Sequence, residues 1–148
     1  DENPRSHVID SLISDVKKYM GNGDFILIMA DLNETITSQE NTNNRMLDAG
    51  LVNVMQHRLN TTDLPKTHKR GSAAIDHIWI SASLTNSIYK CGYSPFNFIG
   101  NSDHRGIYVD LYISEILDAD IFNLQSFKHR RLKATAPKLV NAYLKLVD

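Results

Sequence analysis

A single cysteine, Cys91, in 148 residues leaves no partner for an internal disulfide and no thiolate cluster for a structural zinc. That scarcity fits a reducing compartment. No apolar run approaches the roughly 20 residues of a membrane span, and no secretory leader is read at the start of the sequence. No membrane partner is expected and an intracellular location is, so the sequons Asn33-Glu34-Thr35 and Asn60-Thr61-Thr62 are chance matches. Charge of one sign is also lacking. With a formal net charge of -1, nothing global draws nucleic acid, and any such partner must be held by a local patch. The histidines show no close pair at helical or finger spacing, and no glycine-flanked nucleophile supports a serine-type triad. Internal repeats and low-complexity segments are missing too.

What remains is ordinary globular material. At 42% hydrophobic and 22% charged, the chain can build the core of one domain. Val8, Ile9, Leu12, Ile13, Val16, Tyr19 and Met20 recur three and four apart and predict a helix that Gly21-Asn22-Gly23 stops. Phe25 to Glu34 then reads as a buried strand delivering polar groups at its carboxyl end. If the chain stays extended, Asp31 and Asn33 face one way; the alternative is an ordinary turn, which both residue types favour. A polar loop over 35–44 precedes a short helix from about Asn43 to Ala49, with Gly50 as its left-handed stop. Leu51 to Met55 is expected as a short strand.

From Gln56 to Ser72 no periodicity is visible, and His57, Arg58, Lys66, His68, Lys69 and Arg70 make a basic loop. Thr67-His68-Lys69-Arg70-Gly71-Ser72 sets phosphate-compatible donors just before a strong strand; a solvated basic loop is the alternative. That strand, Ile75 to Ser81, alternates. Asp76, Ile78 and Ile80 share one face, and Ile75, His77 and Trp79 the other. Asp76 among aliphatics needs a partner or water, while His77 beside Trp79 reads as a packed histidine. Ser87 to Tyr93 predicts another strand. Asn101-Ser102-Asp103-His104-Arg105-Gly106 then feeds a last one, Ile107 to Ile113. The stretch 118–148 reads as a tail or linker, separate from a domain over 1–117, with a basic run at 128–133 and a helix started by Pro137.

Three strand ends therefore carry polar groups: Asp31 with Asn33, Asp76, and Asp103 with His104. Carboxylates, an amide and an imidazole at sheet ends suit a hard metal and phosphate chemistry. In this order, MADLNE, SAAIDHIWIS and NSDHRGI resemble the strand motifs of the exonuclease-endonuclease-phosphatase superfamily, over about Asp24 to Leu111. The endonucleases of non-LTR retrotransposons are the most similar branch, through Thr67-His68, the Arg105 that follows Ser-Asp-His, and the basic tail.

The resemblance implies a magnesium-dependent phosphodiester hydrolase acting on DNA, with manganese as a substitute. A phosphatase or lipid phosphodiesterase, and an inactive binding remnant, are the alternatives. By the same resemblance Asp31 positions or deprotonates the attacking water and Asn33 holds the phosphate. Asp76 orients His104, whose imidazole meets a non-bridging oxygen, and Asp103 helps hold the metal. Thr67 and Ser102 support the phosphate, while His68, Lys69, Arg70 and Arg105 contact nucleic acid. The implied fold is α+β, half of a four-layer α/β-β/α sandwich with one mixed, mainly antiparallel sheet and helices on its outer face. Nothing in the chain corresponds to the family's amino-terminal half and its metal-ligating Glu. That missing half is an expected partner, as is a downstream reverse transcriptase, with a nuclear location. The sheet face bearing Leu27, Met29, Ile78 and Ile80 should then be partly uncovered unless the tail helix folds over it.

Overall fold

The computed structural model describes residues 4–38, 42–98 and 100–116, all within the compact unit Asp1–Asp118. The expected tail and its helix, residues 118–148, lie outside the described residues.

The apolar stripe of the first helix is real. Helix α1 (Pro4–Gly21) buries Ile9, Ile13 and Val16, while Val8 and Tyr19, at the margins of the stripe, stay exposed. Its end is a paired-carbonyl stop. Gly23 takes a positive φ of 88°, its N–H donates to Met20 O at 3.0 Å, and Asp24 N–H donates to Tyr19 O at 3.0 Å. The reversal sends the chain directly into β1 (Leu27–Asp31).

Helix α2 (Thr42–Asp48) ends at Gly50, which has φ 85° as expected, and β2 (Leu51–Asn53) follows. The predicted strand through Met55 is cut short. Asn53 accepts from the N–H groups of Met55 and Gln56 and caps α3 (Val54–Leu59), which left-handed Asn60 closes. The stretch expected to be an aperiodic loop thus begins inside a helix.

Strand β3 (Asp76–Ser81) lies between β1 and β2, antiparallel to both. Strands β4 (Ile88–Tyr93) and β5 (Ile107–Leu111) form a separate antiparallel pair. The fold is α+β, but the described residues form two small sheets where one mixed sheet was expected. The last strand also stops at Leu111, because Ile113–Ile116 turns into the short helix α4.

Two apolar clusters flank β3, as its alternation requires. Trp79 packs with Ile9, Ile13 and Val16 of α1, and with Met46, Ala49 and Leu51. On the other face Ile78 and Ile80 pack with Val54 and Met55 of α3, Leu84 and Ile88, with Val109 and Leu111 against them. Helices therefore cover both faces, not one outer face. Strand β1 was expected to be buried, yet Leu27 is 43% and Met29 52% exposed. It is the edge strand and pairs only with β3 among the described residues, so its half of that face is open while Ile78 and Ile80 are sealed.

No helix among the described residues is long and apolar enough to cross a membrane.

Candidate active site

Register builds the site. The pairing of β1 with β3 runs from Leu27 opposite Ile80 to Asp31 opposite Asp76, so two carboxylates end up side by side at one end of the sheet. Like charges directly opposite each other repel. A cationic neighbour relieves that repulsion, and His104 is in place. Its Nδ1–H donates to Asp76 Oδ2 at 2.9 Å and lies 3.2 Å from Oδ1. Ligand atoms of Asp31, Asp76 and His104 all lie within 4.8 Å of one another. The hydrogen bond to Asp76 holds the His104 imidazole above the ordinary histidine range, opposed by partial burial.

The chain does not stay extended past Asp31. Asn33 takes φ 51°, and its N–H donates to Asp31 Oδ1 at 2.9 Å, so the pair forms an Asx turn with both residues exposed. The expected shared strand face is replaced by a tight turn.

His104 is delivered by a second piece of backbone pairing. His68 and His104 form an isolated antiparallel bridge, with Lys69 N–H to Asp103 O at 2.7 Å and Arg105 N–H to Thr67 O at 2.8 Å. Bonds on either side of the pair, and none between them, make this the close, non-hydrogen-bonded kind of cross-strand neighbour. The two rings meet edge to face, with centroids 4.9 Å apart. His68 Nε2 lies 3.3 Å from Asp103 Oδ2. Asp103 is held below the usual carboxylate range, first by its own backbone N–H and then by His68. The structure thus puts Asp103 in a group with His68 and His104, whereas Asp31 and Asp76 form the other group; His104 is common to both.

Two expected substrate contacts have other occupations. Thr67 is fully buried, and its Oγ1 accepts from Ile75 N–H at 3.0 Å and Asp76 N–H at 3.1 Å. It fixes the backbone that carries Asp76 and has no surface to offer a phosphate. Arg105 donates through Nε to Ser94 O at 2.9 Å and stacks its guanidinium over Tyr93 and Phe96, 5.2 and 5.1 Å from the ring centroids. Its Nη1 also lies 3.5 Å from Lys66 O, so the half-buried guanidinium ties the β4–β5 end together; burial pushes the Tyr93 phenol up to about 12 against the opposing pull of that charge.

The remaining expectations keep their accessibility. Ser102 is exposed, and its Oγ accepts from His104 N–H at 3.1 Å, ordering the loop that carries the histidine. Lys69 and Arg70 are exposed and line an open cleft of about 630 Å³ with Asn101, Ser102 and Asp103. His77 is packed, as read: Nε2–H donates to Glu34 O at 2.8 Å and Nδ1 accepts from Asn53 at 3.3 Å.

Glu34 was not singled out and is buried. It pairs with Arg5 and accepts from Thr42 Oγ1 at 2.7 Å, which fixes the turn after Asp31. The apolar-to-polar switch at DLNE carried a signal for a turn but none for which of its acids would be buried.

No protein-family model and no curated protein matches the chain.

Proposed function

We propose that this chain carries the carboxyl-terminal part of a metal-dependent phosphodiester hydrolase site of the exonuclease-endonuclease-phosphatase kind, with DNA as substrate. The observation that carries the reading is His104, bound through Nδ1 to Asp76 at 2.9 Å and grouped with Asp31 at the open end of β1 and β3. An imidazole oriented by a carboxylate keeps its far nitrogen for a ligand. In this reading Nε2–H of His104 binds a non-bridging phosphate oxygen and stabilises the charge that builds there. Asp31 takes a proton from, or aligns, the attacking water. Asn33, exposed in its turn, binds the same phosphate, and Lys69 and Arg70 hold the flanking backbone.

The donor set fits a hard cation. Magnesium is commonly held by one or two carboxylates plus substrate phosphate oxygens, and the exposed carboxylate of Asp103, the metal ligand of this reading, is of that kind. When bound, magnesium or manganese supplies Lewis acidity toward the phosphoryl oxygens.

The open face of Leu27 and Met29 supports the finer architecture, half of a four-layer sandwich whose amino-terminal half lies against β1. A downstream reverse transcriptase and a nuclear location belong to the retrotransposon-type form of the proposal. The same open face also favours a second reading, a binding remnant without catalysis.

Nicking of supercoiled plasmid in magnesium separates them. Joined to an amino-terminal half that supplies the metal-ligating Glu, the wild-type chain should nick and His104→Ala should not. Equal nicking by both proteins, or by neither, removes the catalytic assignment and leaves the binding remnant.

A further inference from the structure

We propose that His68, Asp103 and His104 form a second metal site, one that takes zinc or a similar first-row divalent ion. It draws on this cluster's geometry alone and holds whether or not the protein hydrolyses phosphodiesters.

Three observations build it. The bridge places His68 and His104 as close cross-strand neighbours, with ring centroids 4.9 Å apart. One ligand atom from each histidine and one Asp103 oxygen lie within 4.8 Å of one another, and His68 Nε2 is already 3.3 Å from Asp103 Oδ2. Ligands on a tetrahedral zinc at about 2.0–2.1 Å stand roughly 3.4 Å apart, so small side-chain rotations close the set. Finally, Asp76 holds Nδ1 of His104, which is the outer carboxylate that metal-bound histidines use to fix their tautomer.

Two imidazoles and one carboxylate are a borderline donor set that favours zinc over magnesium. The side chains of His68, Asp103 and His104 are 26%, 59% and 32% exposed, so an ion can enter and a coordination position stays open to water. Because His104 belongs to both groups, zinc here withdraws its Nε2 from any phosphate. The basic loop thereby gains a role that its composition concealed: it supplies a ligand.

The test is titration of the full chain, stripped of metal with a chelator, with Zn2+ by calorimetry and with Co2+ by visible absorption. One equivalent should bind with the absorption of a low-coordinate cobalt site. His68→Ala should weaken binding roughly a hundredfold or more, and Asp76→Asn by the 10–100-fold typical of an outer carboxylate. Asp31→Asn, which removes a nearby charge but no ligand, should weaken Zn2+ binding far less than His68→Ala does. In wild type, zinc should perturb the ring resonances of His68 and His104 and spare His57 and His77, a readout independent of any variant's folding. Absence of saturable binding, wild-type affinity in His68→Ala, or a loss in Asp31→Asn as large as that in His68→Ala overturns the proposal.

Discussion

The Nδ1 of His104 lies 2.9 Å from Oδ2 of Asp76, a carboxylate 28 positions earlier at the start of β3. Asp76 shares its strand face with Ile78 and Ile80, where a lone charge is costly, and the imidazole is what makes it tolerable.

That pair sets a pH dependence. His104 is held above its ordinary value chiefly by the Asp76 hydrogen bond, so the folded protein holds its proton to higher pH than the unfolded chain. The contribution to stability is full below the unfolded histidine value and is lost as pH rises through the folded one. In metal-free buffer, the His104 ring resonances should titrate above those of a free histidine. Asp76→Asn should return the midpoint to the ordinary range and flatten stability across that window. An unchanged midpoint in Asp76→Asn would break the link.

Thr67 gives a stability prediction where sequence reading expected a ligand contact. Its Oγ1 is the acceptor for Ile75 and Asp76 N–H groups, and an unsatisfied buried donor costs about 1–3 kcal/mol. Thr67→Val should destabilise by about 2 kcal/mol or more in urea denaturation, while Thr67→Ser, which keeps the acceptor, should cost clearly less. Equal stability of the two variants would contradict this role for the Thr67 hydroxyl.

The basic residues should divide by role. Arg105 is spent on Ser94 O and two aromatic rings, whereas Lys69 and Arg70 line the open cleft. Lys69→Ala should weaken DNA binding and lower the salt slope by about one phosphate contact. Arg105→Ala should lower the unfolding midpoint and leave that slope alone. A reduced slope in a folded Arg105→Ala protein would contradict the division.

Trp79 is fully buried between α1 and β3. Trp79→Ala should cost about 3–5 kcal/mol, read by the same denaturation.

Local chemistry explains what the sequence made legible. The three- and four-residue spacing of Ile9, Ile13 and Val16 marks α1, and period-two alternation separates Ile78 and Ile80 from His77 and Trp79. The site's main pairing, Asp76 with His104, was also expected, but from family resemblance rather than from spacing. Helix α3 was missed because six residues hold too few turns for a period to show; its signal was the two asparagines at its ends, Asn53 and Asn60. The exposure of Leu27 and Met29 follows from β1 being an edge strand, a fact of sheet order that an apolar run does not encode. His68 was read as one basic donor among several. Its pairing with His104, 36 positions away, is tertiary, as is the stacking that occupies Arg105.

The central claim is that Asp76 acts through His104 in one catalytic unit, and a double-mutant cycle on magnesium-dependent plasmid nicking, with the amino-terminal half supplied, tests it most directly. Residues that act as a unit lose activity non-additively. His104→Ala should cost roughly 10²–10⁴-fold, and adding Asp76→Asn to it should cost little more. Additive losses, or wild-type nicking by His104→Ala, would contradict it.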